Sequence, residues 1–385
     1  MITIYIIFGL YTIIIWWGYV GYFLFLHTRS KQNQIAPPLD LIKDYPTIAV
    51  LVPCLNEESI IREKIKNVQM LKYPQDKLKV YFLDGGSTDQ TCSIIRAAAS
   101  QSPYIFVINT HCTGKIPQLN SILPMISSDI IVNTDVDGIL EENTLLKIVA
   151  RFKADPKIGV VGATVTPGKT PNLERSHWET QNWIRNLESQ VYSSSVVVAI
   201  CYAFKREILD QFPDDVIADD VYISFISNLK GYKSIYASEI LATETRAPAN
   251  FSTIILHKFR KTHANIVETL RFFLRSTATN RSWLVIFYTR ALQILFLPIF
   301  SAVYFAFLVF LLVQGHSILS FAGMMFLGVS FLLYPHFHRT VHYSSRIYSI
   351  YNTFANFILL NILLSFSLII YPFLSHSSNY QRINS

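Results

Sequence analysis

The sequence predicts an α/β domain with a mainly parallel sheet, joined to about four transmembrane helices. Between Lys31 and about Asn250, short β-branched runs alternate with helix-like segments, which is typical of a parallel sheet flanked by helices. Long apolar runs lie before and after this region. Of the 385 residues, 51% are hydrophobic and only 15% are charged, a balance that suits a protein partly embedded in a membrane.

The first apolar run predicts a transmembrane anchor within residues 1–27. Ile2 to Phe25 are almost uncharged, and His27, Arg29 and Lys31 follow them. At about 20 residues per span, the run is long enough to cross a bilayer. A secretory signal peptide would carry its charge first and a shorter apolar core. The trailing positive charges predict that the C-terminal end of the anchor faces the cytoplasm.

Five strands are predicted within the central region, residues 46–250, with helical segments between them. They are Thr47 to Pro53, Lys79 to Leu83, Tyr104 to Ile108, Ile130 to Asn133 and Ile158 to Val165. In an open sheet of this kind, ligands bind at the carboxyl ends of the strands.

Two strand ends lead into polar segments that suit a nucleotide. The first strand runs into Pro53 to Glu58, and the second into Asp84 to Asp89. Glycine allows close backbone approach, and a carboxylate can accept a hydrogen bond from a base N–H. For the second segment a capped turn is the alternative, because Ser, Thr and Asp are common helix N-caps.

Two acidic motifs are candidates for catalysis. Asp135 and Asp137, directly after an apolar strand, have the spacing to bind a hard divalent cation that bridges two phosphates, although Asp-x-Asp also occurs by chance in loops. Asp219 and Asp220 precede a predicted helix, Val221 to Leu229. This pair is either a helix cap or includes a general base that takes a proton from an attacking hydroxyl.

The C-terminal third predicts further contact with a membrane. A basic amphipathic helix, Thr253 to Arg275 within residues 251–281, is expected in the membrane interface, or packed on its own domain, or both. Three more spans are predicted within residues 291–374. They are Ala291 to Val313, Ser317 to Pro335 and Tyr351 to Leu374.

The distribution of charge predicts the orientation and the partners. His336 to Ile350 hold two arginines and no acid, whereas Gln314 to His316 hold no Lys or Arg, so the positive-inside rule puts the central domain in the cytoplasm. We therefore expect a protein of the inner cell membrane with both termini facing away from the cytoplasm. The net charge is +7, and much of the Lys and Arg lies close to apolar segments, where attraction to anionic lipid head groups accounts for it. No nucleic-acid partner is expected.

In chain order, these segments resemble family 2 glycosyltransferases, the membrane-associated group that includes cellulose, chitin and hyaluronan synthases and many lipid-linked sugar transferases. The resemblance covers about Pro46 to Arg260, and the flanking transmembrane plan also fits. Its ordered set of motifs is specific. The set is Pro-x-x-Asn-Glu-Glu at Pro53 to Glu58, Asp-x-Gly-Ser-Thr-Asp at Asp84 to Asp89, Gly114-Lys115 with Asn120, Asp135-Val136-Asp137, and an acidic pair before a basic helix.

The resemblance implies a GT-A fold with a nucleotide sugar donor, most often uridine-linked, and inversion at the anomeric carbon. It implies that Glu57 and Asp84 contact the nucleoside and that Lys115 lies near the donor phosphates. Asp135 and Asp137 would then be the nucleotide and metal pair, with Mg²⁺ or Mn²⁺ expected.

The same resemblance assigns a base and reveals a departure. Asp220 matches the final Asp of the family's Thr-Glu-Asp motif, the usual base, although the motif here reads Ala218-Asp219-Asp220. In the Gln-x-x-Arg-Trp motif of processive synthases only Arg260 fits, as a phosphate-facing cation, and Lys261 stands where Trp would stack on the acceptor sugar. This change favours a single addition.

Three functions remain after these comparisons of motif and composition. The first is transfer of one sugar to a lipid, lipid-linked or saccharide acceptor, and the second is processive polysaccharide synthesis. The third is an inactive, glycosyltransferase-like scaffold for envelope-polysaccharide assembly, against which the retained Asp135, Asp137 and Asp220 argue. Polysaccharide or glycolipid assembly proteins would be the partners.

Overall fold

The structure is a computed structural model of the chain. It describes residues 2–30, 38–39, 42–246, 248, 250–275, 280–316, 318, 320–325 and 346–373.

Eight strands form one mixed sheet at the centre of the described chain. They are β1 (Ile48–Cys54), β2 (Leu78–Asp84), β3 (Ile105–Asn109), β4 (Ile130–Thr134), β5 (Gly138–Leu140), β6 (Ile158–Pro167), β7 (Cys201–Lys205) and β8 (Lys233–Glu244). Their order across the sheet is β3-β2-β1-β4-β7-β6-β8-β5. The first four strands in that order are parallel to one another, and β6 is parallel to β8. β7 is antiparallel to its neighbours β4 and β6, and β5 is antiparallel to β8. The predicted α/β class with a mainly parallel sheet is confirmed.

Besides helical residues at 320–325, the described part of the chain contains twelve α-helices with defined bounds. They are α1 (Ile2–Trp16), α2 (Tyr22–Arg29), α3 (Ile61–Gln69), α4 (Thr91–Ala99), α5 (Lys115–Ile122), α6 (Thr144–Ala154), α7 (Asn172–Val191), α8 (Asp219–Leu229), α9 (Phe251–Phe273), α10 (Arg281–Ala291), α11 (Leu297–Val313) and α12 (Arg346–Ile370).

The two faces of the sheet are covered by different helices. Along β1, Val50 and Val52 pack into one hydrophobic cluster, which also holds residues of α3, α4 and α6. Ala49 and Leu51, which point to the other face, belong to a second cluster with residues of α5 and α8. This alternation is the period of two that a strand imposes on its side chains.

Three helical segments are long and apolar enough to cross a membrane. They are Tyr5–Arg29, Arg281–Val313 and Ala355–Phe373, and they match the predicted first, second and fourth spans. The remaining predicted span, Ser317 to Pro335, lies mostly outside the described residues.

A buried polar contact ties the membrane helices to the sheet domain. Glu188 of α7 is fully buried and pairs with Arg290 of α10, with 2.8 Å between Oε1 and Nε. The Tyr22 hydroxyl of α2 donates to the same carboxylate at 2.7 Å. Because an unpaired buried charge is costly, this contact stabilises the docked arrangement of α2 and α10 on the domain.

The amphipathic helix α9 packs on its own domain as well as on the spans. It begins with a capping box between Asn250 and Thr253. Its buried face includes Lys258, which pairs with Glu174 of α7 at 2.7 Å. The buried face of this amphipathic helix therefore includes charged as well as apolar residues. Phe259 packs on α12, 5.8 Å from the ring of Phe366.

Candidate active site

Parallel strand ends bring the first candidate residues together. Because β2, β1 and β4 are parallel neighbours, their carboxyl ends share one edge of the sheet. Asp84 ends β2 opposite Cys54 of β1, Glu57 follows β1, and Asp135 follows β4. We call Glu57, Asp84, Lys115, Asp135 and Asp137 the strand-end site.

The loops after β1 and β2 are bonded to one another. The Asn56 amide donates to the Ser87 hydroxyl at 2.8 Å, and the Thr88 amide donates to Asn56 Oδ1 at 2.8 Å. The Asp84 carboxylate, 4% exposed, accepts from the Ser87 amide at 3.2 Å. Gly86 has φ +95°, a conformation that side chains disfavour. Several polar residues of these motifs therefore hold the two loops together.

Glu57 is paired inside the protein with a residue that the sequence did not reveal. Its carboxylate is 3% exposed and accepts from both Nη atoms of Arg246, at 2.8 and 3.1 Å. Arg246 Nε also lies 3.4 Å from Asp137 Oδ2. Arg246 follows β8 without a recognisable motif, so only the fold connects it to the strand-end site.

Lys115 connects the two acidic motifs. It is the first residue of α5, and its ammonium lies 2.7 Å from Asp135 Oδ1 and 3.0 Å from Asp219 Oδ2. Burial alone would lower the pKa of Lys115, but the two carboxylates raise it above its usual value. Lys115 is therefore a fixed positive charge.

Asp135 and Asp137 suit a divalent cation only together with ligands from elsewhere. Burial and the charge of Asp135 raise the pKa of Asp137, and a cation near both carboxylates would relieve their repulsion. Among the described residues, no three His, Cys, Asp or Glu side chains are grouped to hold a metal. Water or phosphate oxygens would have to complete the coordination of Mg²⁺ or Mn²⁺.

The adjacent acids at the start of α8 have different surroundings. Asp219 is 5% exposed and accepts from the Tyr202 hydroxyl at 2.7 Å, from Asn133 Nδ2 at 3.0 Å, and from Lys115. Asp220 accepts from the Ala199 amide at 3.1 Å and lines a cavity. Burial and the charge of Asp219 raise the pKa of Asp220 to about 6. A carboxylate with this pKa can take up a proton close to neutral pH.

That cavity lies between the sheet domain and the membrane helices. It has a volume of about 500 Å³, and we call it the helix-lined cavity. Its walls come from α7, α8 and α9 on the domain side and from α1, α2, α10, α11 and α12 on the membrane side. Arg260 does not line it, whereas its neighbour Lys261 does. The sequence did not reveal this cavity, because its walls are far apart along the chain.

Comparison with known proteins agrees with this architecture. The family model described as glycosyl transferase family 2 matches residues 49–212. A mannosyltransferase from Pyrobaculum calidifontis, solved in complex with GDP-Man and Mn²⁺, superposes with a TM-score of 0.69 at 23% identity. The superposition covers 94% of this chain and 98% of that one, which shows that the two share a GT-A-like fold.

Curated relatives match over shorter stretches. Poly-beta-1,6-N-acetyl-D-glucosamine synthase from Staphylococcus aureus is 26% identical over 56% of this chain and 54% of its own length. Beta-monoglucosyldiacylglycerol synthase from a Nostoc species is 30% identical over 40% of this chain and 32% of its own length. The chain therefore spans about half or less of the length of these relatives.

Proposed function

We propose, from the membership of residues 49–212 in glycosyl transferase family 2, that this enzyme transfers a single sugar with inversion from a nucleotide diphosphate donor to a lipid or lipid-linked acceptor. The observation that carries the proposal is the position of Asp220, on the wall of a cavity that the membrane helices help to form. The strand-end site is close by, since Lys115 contacts both Asp135 and Asp219.

The strand-end site would hold the donor. Asp84 lies at the edge where open α/β sheets bind nucleotides, and Lys115 supplies a positive charge for the diphosphate. Asp135 and Asp137 would hold Mg²⁺ or Mn²⁺, an assignment consistent with Mn²⁺ in the related mannosyltransferase. A bound cation there would neutralise charge that develops on the departing diphosphate. Arg246 would keep Glu57 and Asp137 in place.

Asp220 would act as the general base. Its carboxylate would accept the proton of the acceptor hydroxyl while that oxygen attacks the anomeric carbon and the nucleoside diphosphate leaves. A base with a pKa near 6 is ionised at neutral pH yet still takes up a proton readily. Asp219 is less suited, because its Oδ2 atom is already bonded to Tyr202, Asn133 and Lys115.

A second candidate is processive synthesis, which the name of the staphylococcal relative favours. Product length separates the two functions. Mass spectrometry of products formed with excess donor should show one added sugar for single transfer, whereas a ladder of longer products would establish the processive alternative.

We also propose that the catalytic domain faces the cytoplasm at the inner membrane. A cysteine at Ser87 should escape an impermeant thiol reagent in intact cells and react after permeabilisation. A cysteine at Gln314, in the predicted external connection, should react in both conditions. Cys92 and Cys112, which are partly accessible, would first be replaced by serine. Labelling of Ser87→Cys in intact cells would contradict the orientation.

The direct test is a panel of UDP- and GDP-sugars with the purified full chain in detergent, a membrane lipid extract and Mn²⁺. We expect one donor to release its nucleoside diphosphate and to label a lipid product, and Asp220→Asn to abolish the labelling. Both nucleotides are included because the resemblance favours uridine, whereas the related mannosyltransferase holds GDP-Man. No turnover with any donor would contradict the proposed activity.

A further inference from the structure

The domain-side wall of the helix-lined cavity carries cations without carboxylate partners. Arg185 of α7 and Lys261 of α9 both lie over the ring of Trp178, at 5.8 and 4.8 Å from its centroid. All three side chains line the cavity. Within the described part of the chain, neither Arg185 nor Lys261 forms an ion pair.

Several nitrogen atoms of the same wall are buried without a hydrogen-bond partner among the described residues. They are Arg185 Nε and Nη1, Trp178 Nε1 and His257 Nδ1. Trp178 is only 5% exposed. Buried donors are almost always paired in folded proteins, since an unpaired buried donor is costly. This cluster of donors therefore fits a ligand that brings several acceptor oxygens.

The nearby histidines and carboxylates indicate the charge of that ligand. Lys261, followed by burial, lowers the pKa of His257 to about 2, so the cations keep this ring neutral. Of the nearby acids, Glu174 is paired with Lys258, and burial raises the pKa of Glu244 to about 7. Glu244 and Asp220 thus offset the positive charge incompletely, and the wall favours an anion.

We propose that Arg185, Trp178, His257 and Lys261 form a phosphate-binding subsite for the head group of a lipid acceptor. Guanidinium and ammonium groups recognise phosphate oxygens by charge-assisted hydrogen bonds. Another part of the cavity is lined by membrane-helix residues such as Ile15, which suit the apolar part of a lipid. This inference rests on the proposed function, because it names the chemical class of the acceptor.

Binding to the full chain in neutral detergent tests the subsite without turnover. The probes are dioctanoyl phosphatidic acid, dioctanoylglycerol, inorganic phosphate and UDP with Mn²⁺, titrated by calorimetry. We expect phosphatidic acid to bind at least about tenfold more tightly than dioctanoylglycerol, a difference of about 1.4 kcal/mol. We expect inorganic phosphate to bind more weakly than phosphatidic acid. Equal affinity for the two lipids, or tighter binding of inorganic phosphate, would overturn the proposal.

Variants locate the effect. The preference for phosphatidic acid over dioctanoylglycerol should fall in the double variant Arg185→Gln/Lys261→Gln. In Lys261→Gln alone it should fall by at least threefold. The control Arg62→Gln/Lys66→Gln removes the same charge from the exposed face of α3 and should bind like the wild type. The single variant is informative even if the double variant unfolds, because Lys261 is exposed.

Titration with UDP distinguishes binding of a lipid phosphate from binding of the donor phosphates. It also separates the acceptor subsite from the proposed sugar transfer. UDP affinity should be unchanged in the variants. If Lys261→Gln weakened UDP and left phosphatidic acid unchanged, these cations would bind the donor, and the subsite for the acceptor would be wrong. Failure of every nucleotide sugar to turn over would contradict sugar transfer, while the lipid preference would still be measured independently.

Discussion

The strand-end site and the helix-lined cavity differ in how their charges are neutralised. In the strand-end site, Glu57 is paired with Arg246, and Asp135 with Lys115. In the cavity, Arg185 and Lys261 have no carboxylate partner among the described residues. A site whose charges are paired internally is held in shape before a ligand arrives, whereas unpaired cations gain their partners from the ligand. Under the proposed function, the protein thus presets the donor side and leaves the charges of the acceptor side to be paired by the ligand.

The largest effect should come from the metal pair of the strand-end site. Asp137→Ala removes one of the two carboxylates that we propose to hold a divalent cation, and metal assistance is worth several kcal/mol. We therefore expect turnover to fall by about 10³-fold or more, with the same loss in excess chelator. Asp76→Ala, an exposed acid after Pro74, is the control. Full nucleotide release in excess chelator would contradict this role.

The second-largest effect should distinguish Asp220 from Asp219, the two acids between the strand-end site and the helix-lined cavity. Asp220→Asn should slow transfer by roughly 10²- to 10⁴-fold and leave donor affinity near normal, since only proton transfer is lost. Asp219→Asn should keep a measurable rate but lower the melting temperature more, because it disturbs buried bonds to Tyr202 and Lys115. Rate, donor affinity and melting temperature measured on both variants check this. Reversed effects would shift the base assignment to Asp219.

A smaller effect should appear in stability rather than in chemistry. Arg290→Gln leaves Glu188 buried without its cation, which typically costs about 3–5 kcal/mol. Lys72→Gln breaks an exposed pair with Glu142, with side chains 61% and 47% exposed, and should cost about 0–1 kcal/mol. Thermal unfolding in detergent compares the two. Equal melting temperatures would show that the buried pair does not fix the cavity wall.

The strand-end site was largely predictable because its residues follow strands directly. Glu57, Asp84 and Asp135 each lie just beyond a predicted strand, and the parallel order places them at one edge. What the sequence missed was their pairing. Arg246 reaches Glu57 across 189 positions of the chain, a contact that no local pattern encodes.

The sequence did not predict strands β5, β7 and β8, for identifiable reasons. β5 and β7 are only three and five residues long, and both pair antiparallel within a mainly parallel sheet. β8 pairs with β6 through a register shift after Ala237, so its alternation of buried and exposed residues changes phase. A strand predicted from period-two alternation is lost at such a bulge.

The cavity was not predictable for a different reason. Periodicity identified α9 as amphipathic, but its buried face includes charged residues such as Lys258 and Glu268, which hydrophobicity alone assigns to the surface. Those charges are paired with Glu174 and Arg271. Only the packing of α9 against α7 and α12 shows which cations remain for a ligand.

The most direct test of the account is single-turnover transfer as a function of pH, with donor already bound. Because Asp220 must be ionised to accept a proton and its pKa lies at about 6, the rate should rise about tenfold per pH unit below 6 and level off above it. Asp220→Asn should be slow with no such rise. If the variant kept both the rate and the pH profile of the wild type, Asp220 would not be the base.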